Sequence, residues 1–209
     1  MLGAVLSFTL AATVLVVLPG PDTLVVVRAL VRGGRAAGIR TALGVLCGLA
    51  VWVLAAVLGL SALLRASEIG YEALKILGAC YLVWIGAQSL RALRRPAERA
   101  VPDATTAAAP LDRMGNFGAG LLTDILNPKI GVLFVSFLPG FVPAGYSPAW
   151  TTLGFGLLYI ALTALYCGTL VAASGSLSAW MRTARIRRRL DALTGVVLVG
   201  FGIRLATES

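Results

Sequence analysis

The sequence contains no histidine, and its three cysteines, Cys47, Cys80 and Cys167, fall in separate apolar runs with no C-x-x-C spacing. That removes the usual ligands of a zinc centre and the paired thiols of a redox relay, so no metal and no cofactor are expected. Charged residues make up only 13% of the chain, against about 25% in a soluble domain. Neither a G-x-x-x-x-G-K-[ST] loop nor a G-x-S-x-G elbow occurs. A nucleotide-driven pump and a serine hydrolase are thereby excluded, and charges this sparse do not assemble most acid–base chemistry.

What the chain has instead is apolar length. Hydrophobic residues reach 58% and the mean hydropathy is +0.90. Thr41 to Leu64 carries no charge, nor does Ile130 to Met181. A helix crossing a bilayer needs about 20 such residues. Spans are expected near Leu2 to Val27, Thr41 to Leu64, Ala73 to Leu90, Phe117 to Val142, Ala149 to Ala173 and Leu190 to Ala206, the last being the shortest. Only helices and closed barrels satisfy their backbone in lipid, and these unbroken runs lack the alternation of barrel strands. The fold class is therefore all-α integral membrane, with about six transmembrane helices. No Lys or Arg precedes the first run, and more spans follow, so it reads as a membrane helix rather than a signal peptide.

The net charge of +9 might suggest nucleic acid, but the basic residues lie in short clusters between apolar runs, with no soluble domain to present them. They read as topology signals. Of the 18 Lys and Arg residues, all but Arg65, Lys75, Lys129 and Arg204 fall within 28–40, 91–115 and 174–190. The positive-inside rule makes these three loops cytoplasmic in a multi-pass protein of the bacterial inner membrane, with both termini outside. The stretch PAERAVPDATTAAAP reads as a flexible linker. It divides the chain into a three-helix repeat at 1–95, a linker at 96–114 and a second three-helix repeat at 115–209.

Two spans are interrupted alike: the first by Leu18, Pro19, Gly20, Pro21 and Asp22, the fourth by Leu126, Asn127, Pro128 and Lys129. Proline donates no backbone hydrogen bond and clashes with the preceding turn, so both spans should break. New helices should begin at Pro21 and Pro128, capped by Gly20 and Asn127. Aligning Pro21 with Pro128, an offset of 107 residues, carries Thr41 to position 148, near the start of the fifth span. Three spans per half would insert the second half upside down, an inverted repeat of the kind found in transporters. The two half-helices would then point their free N–H groups at one central site suited to a carboxylate.

Charges at membrane depth are costly and face a cavity or one another. Asp22, Asp124 and Lys129 are three such residues. Substrate binding is expected at Gly20, Pro21, Asp22, Asn127, Pro128 and Lys129, with Asp22 drawing an ammonium and Lys129 holding a carboxylate. Asp22 and Asp124 are the candidates for proton coupling. The plainer reading has packing kinks, a structural Asp22–Lys129 pair and an Asp124 close to cytoplasmic water. Trp52, Tyr81, Trp84, Gln88, Tyr159 and Tyr166 are further polar or aromatic residues of the spans that are open to a pathway or a structural role, whereas Tyr146 and Trp150 suit an interface.

The segments LPGPDTLVVVRALVRGGRAAG through ALGVLCGLAVW, then LKILGACYLVWIGAQSLRA, then GLLTDILNPKIGVLFVSFLPGFV together resemble the LysE/RhtB translocator family, named for lysine, homoserine and threonine export. The resemblance covers essentially the whole chain. It implies export of amino acids or close derivatives from the cytoplasm, with proton coupling and with both break motifs near the pathway. One departure is Gly140 after Pro139, where many members have Gln. Export of another small metabolite or of a metal cation is the alternative, and a non-transport membrane protein a further one. The substrate's side chain is not legible here, and small-residue faces leave a homodimer as one possible assembly.

Overall fold

The computed structural model describes residues 1–17, 20–66, 114–134 and 138–173, with isolated helical positions between 73 and 91 and between 192 and 203. Every described element is helical: α1 (Leu2–Val17), α2 (Pro21–Ala66), α3 (Gly115–Ile125), α4 (Pro128–Val132), a 3-10 turn at Leu138–Phe141, and α5 (Pro148–Ala172). Proline opens α2 at Pro21 and α4 at Pro128, each just after the preceding helix has ended, at Val17 and Ile125, and α5 opens with proline in its first turn as well. The spans expected at 73–90 and 190–206 coincide with the isolated helical positions. The linker at 96–113 and the basic loop at 174–190 lie outside the described residues.

The first basic stretch differs from the loop expected at 28–40. It stays helical throughout except at Gly34, where φ is 68° and ψ is −165°. As a straight rod the 46 residues of α2 would extend roughly 69 Å, more than twice the hydrocarbon thickness of about 30 Å. Packing shows that the helix folds back on itself. A methyl group on Gly38 would overlap the side chain of Leu30, and Val26, Leu30, Ala42 and Val45 share one buried cluster. Residues 21–33 and 35–66 thus form an antiparallel hairpin that turns on a single positive-φ glycine. Arginine is a good helix former, so Arg28, Arg32, Arg35 and Arg40 mark the surface without needing a loop.

The second arm of the hairpin packs closely on α3. A methyl group on Gly44 would overlap the Phe117 carbonyl, one on Gly120 would overlap the Thr41 carbonyl, and one on Gly48 would sit 2.5 Å from Asp124 Oδ2. The seam is built of backbone against backbone, as small residues permit in membranes.

The buried residues are mostly apolar, but large apolar side chains also cover the outside while a few polar ones are sealed within. Leu10 and Leu58 are each 71% exposed, while Thr41, Asp124 and Thr152 are 0% exposed. A chain that turns leucine outward and carboxyl inward is solvated by lipid. Tyr146 and Trp150 are exposed, in keeping with interface anchors.

Candidate functional site

At each break a backbone carbonyl loses its ordinary donor. The helical partner of the Leu15 carbonyl would be the N–H of residue 19, which is proline and has none. Lys129 Nζ takes that role, donating to Leu15 O at 3.2 Å. The helical partner of the Asp124 carbonyl would be the N–H of Pro128, also missing. Here Trp52 Nε1 donates at 3.3 Å and the Asn127 N–H at 3.0 Å. A side chain from another element therefore completes each interrupted helix, which answers the high cost of an unpaired backbone group in lipid.

A second bond ties the breaks together. Asn127 Nδ2 donates to Asp22 Oδ2 at 2.7 Å, while its Oδ1 accepts from the Lys129 N–H at 3.1 Å, the capping role read from the sequence. The N–H groups of Ile130 and Gly131 both go to the Asn127 carbonyl, at 3.0 and 3.1 Å. The first turn of α4 thus has its donors occupied, and the expectation that it offers free N–H groups to a carboxylate is not met. The cation left to do so is the Lys129 ammonium. Lys129 reaches Leu15 and Asp22 reaches Asn127, rather than closing on each other. One Asp22 oxygen, Oδ1, is buried without a partner among the described residues.

The 16 residues of α1 extend roughly 24 Å on one side of the first break, and residues 21–33 roughly 20 Å on the other. The first break thus has helix of similar length on either side.

Both motifs line one small cavity of about 30 Å³, together with Thr23, Val45 and Leu49 of α2 and Tyr159, Thr163, Tyr166 and Cys167 of α5. That volume holds about two water molecules, so a larger solute enters only if the helices part. A wider cavity of about 520 Å³ adjoins it, lined by Arg35, Leu43, Leu46, Ala164, Gly168 and Val171 among others, and Cys167 borders both. At its far end Arg35 Nε and Nη2 donate to the Val171 and Ala172 carbonyls at 3.3 and 3.2 Å, capping α5 with a cation where the helix dipole favours one. On the opposite side of the small cavity Phe8, Phe141 and Phe155 pack together, with ring centroids 4.6 to 6.5 Å apart. Phe155, Tyr159, Thr163, Cys167 and Val171 are spaced four apart and so form one ridge that winds gradually around α5. That ridge runs from the aromatic cluster, past the small cavity, to the wide one.

Of the residues singled out in the sequence, Gly20, Asp22 and Lys129 line the small cavity. Pro21 and Pro128 begin the helices behind them, and Asn127 joins the two. Asp124 is not in the cavity lining; it lies buried against Gly48. Tyr159 and Tyr166 line the cavity, Trp52 braces the second break, and Trp84 is exposed. Tyr81 and Gln88 lie outside the described residues. Thr23, Thr163 and Cys167 also line the cavity; the sequence signal for two of them is their spacing of four and eight from Tyr159.

Asn127 holds both motifs, which makes it a sensitive test of their coupling. Asn127→Ala is expected to lower thermal stability by about 1–3 kcal/mol, since a cap and a bond to a buried carboxylate are lost together. Asn127→Asp keeps the cap acceptor but turns a second carboxylate toward Asp22, and should be at least as damaging. Unfolding of the purified variants in detergent, followed by size-exclusion fluorescence, checks both; native stability in each would mean that the bond between the breaks is dispensable.

Broken helices meeting around buried charges are an arrangement that membrane translocators use. The chain belongs to the LysE-type translocator family, whose sequence profile matches residues 13–209. It is 37% identical to an uncharacterized membrane protein of Pseudomonas aeruginosa, over 97% of this chain and 94% of that one. A threonine efflux protein of Escherichia coli K12 is 30% identical, over 98% of each chain. A leucine efflux protein of Klebsiella pneumoniae is 28% identical, over 97% of this chain and 94% of its own. No solved structure matches.

Proposed function

We propose that this protein is a secondary transporter of the bacterial inner membrane that exports α-amino acids with uncharged side chains from the cytoplasm. The observation that carries the reading is the facing pair of breaks, which sets one carboxylate, Asp22, and one ammonium, Lys129, on the wall of a single cavity. These are the counter-charges of a zwitterion. The rest of the lining is apolar, hydroxylated or a thiol, and among the described residues it holds no second carboxylate to receive a basic side chain and no second cation for an acidic one. Relatives named for leucine and threonine efflux fit that choice.

In this reading Gly20, Pro21, Asp22, Asn127, Pro128 and Lys129 form the binding centre, and Asp22 or Asp124 carries a coupling proton. The chain has six spans, built as inverted repeats at 1–95 and 115–209, with the basic segments cytoplasmic. The mirrored repair of the two breaks supports that symmetry, since each proline-orphaned carbonyl is met by a side chain from another element. The wide cavity beside Arg35 is the cytoplasmic approach, and the Phe8–Phe141–Phe155 cluster closes the outer side.

Efflux of radiolabelled amino acids from proteoliposomes containing the purified protein tests the reading. Leucine, threonine and other neutral amino acids should leave at least about tenfold faster than lysine or glutamate, as expected when a desolvated site leaves a surplus charge unpaired. Lysine or glutamate leaving as fast as leucine would overturn the choice of substrate class; no amino acid leaving at all would overturn the exporter reading.

A further inference from the structure

Asp124 is a carboxyl sealed inside the protein with no job in the cavity. It is 0% exposed, and neither Oδ1 nor Oδ2 has a hydrogen-bond partner among the described residues. The surface pressed against it is the seam between α2 and α3, where Gly48 leaves just enough room: its missing methyl group would lie 2.5 Å from Oδ2 and 2.7 Å from Cβ of Asp124. One turn away on either side, Gly44 and Gly120 let the backbones of the two helices touch. Residues 41–59 of α2 carry no charged group. Among the described residues, the ionisable groups whose field reaches Asp124 are Asp22 beside the first break and Tyr159 of α5, and neither supplies a positive charge. A bare carboxylate enclosed this way, without donor or cation, would bear most of its lost hydration uncompensated.

We infer that Asp124 is a proton-binding site distinct from the amino-acid site, occupied by a proton whenever the α2–α3 seam is closed and exchanging it with water only when the seam opens. The inference rests on the exporter reading for its biological use and on the seam for its physics. A proton taken up from outside neutralises the carboxylate and allows Gly48 to close over it. Reopening toward the cytoplasm restores hydration, and the proton leaves. The carbonyl of Asp124 is one of the two orphans at the breaks, held by Trp52 of the same α2 arm. Movement of α3 against α2 is thereby tied to the second break, and through the Asn127–Asp22 bond to the first. Proton occupancy and the shape of the substrate cavity are linked by two hydrogen bonds.

The test uses proteoliposomes holding native protein or Asp124→Asn, which matches the neutral acid in size. Exchange of labelled for unlabelled substrate with no pH gradient should stay within about twofold of native, while efflux driven by an inward pH gradient falls by about tenfold or more. Proton uptake read by a dye should be lost with it. Asp124→Asn that keeps native gradient-driven efflux and proton uptake would overturn the inference. A second measurement needs neither transport nor a stable Asp124 variant. In Asp22→Asn protein, infrared spectroscopy near neutral pH should show a protonated-carboxyl band that shifts slowly in heavy water. Absence of that band would overturn the inference even if no amino acid is carried, and its presence would sustain Asp124 while the exporter reading alone failed.

Discussion

Replacing Lys129 by methionine is expected to cut amino-acid efflux by about 30-fold to several thousandfold. The range follows from truncating one partner of a buried, charge-assisted contact, which costs about 2–5 kcal/mol at roughly tenfold in rate per 1.4 kcal/mol. Two losses combine. The ammonium that donates to Leu15 O at 3.2 Å disappears, leaving the carbonyl orphaned by Pro19 unpaired in an apolar medium. The cavity also loses the one cation that the described residues place in its lining, and with it the group that a substrate carboxylate would meet. Lys129→Arg keeps the charge but brings a planar, bulkier head to a site where Gly20 leaves only 3.8 Å between a would-be methyl and Nζ, so only partial rescue is expected. Asp22→Asn should be comparably severe, because it removes the negative charge facing the substrate ammonium while sparing most of the size. Efflux from vesicles at matched protein levels measures all three. Native rates for Lys129→Met and Asp22→Asn alike would sink the binding centre while leaving the family assignment untouched.

The second large effect is expected on folding. Gly44→Val should prevent recovery of monodisperse protein, and Gly44→Ala should cost at least about 1–3 kcal/mol, the usual penalty of overpacking. The added methyl group meets the Phe117 carbonyl, with the Leu121 nitrogen 2.8 Å away, and a backbone cannot rotate aside as a side chain can. Gly154 provides the control: nothing lies within 4 Å of a methyl group placed there, and Gly154→Ala should behave as native, or slightly better given alanine's helix propensity. Size-exclusion profiles after graded heating separate the cases. Equal behaviour of Gly44→Ala and Gly154→Ala would show that the α2–α3 seam is looser than its geometry implies.

The breaks were legible because proline and asparagine carry their local physics with them. Pro21 and Pro128 fix where helices start, and Asn127 at a cap position is readable before any coordinates. The cluster of arginines at 28–40 was legible as a surface but not as a shape. It was read as a loop, yet the backbone leaves the helical region only at Gly34, and charge density says nothing about φ. Still less legible was the destination of hydrogen bonds. The N–H groups expected to greet a carboxylate at α4 are consumed by Asn127 itself, two by its backbone carbonyl and one by its side-chain oxygen, and the last of these depends on a side-chain rotamer. Thr163 and Cys167 stayed hidden for a different reason: uncharged and common in membrane helices, they gain meaning only from the ridge of α5 that they share with Tyr159.

The position of Asp124 along its helix has an electrical consequence. Asp124 lies nine residues beyond the start of α3, roughly 14 Å along a helix, or about half of a 30 Å hydrocarbon layer. A proton reaching it from the outer surface would cross about half of the transmembrane voltage, which amounts to about 1 kcal/mol per 100 mV. The uncharged-side-chain substrate, bearing no net charge, would cross at no electrical cost. If Asp124 carries the coupling proton as proposed, the resting potential of the cell would load the carrier along with its pH difference, and export should persist in a cell whose interior and exterior are at equal pH.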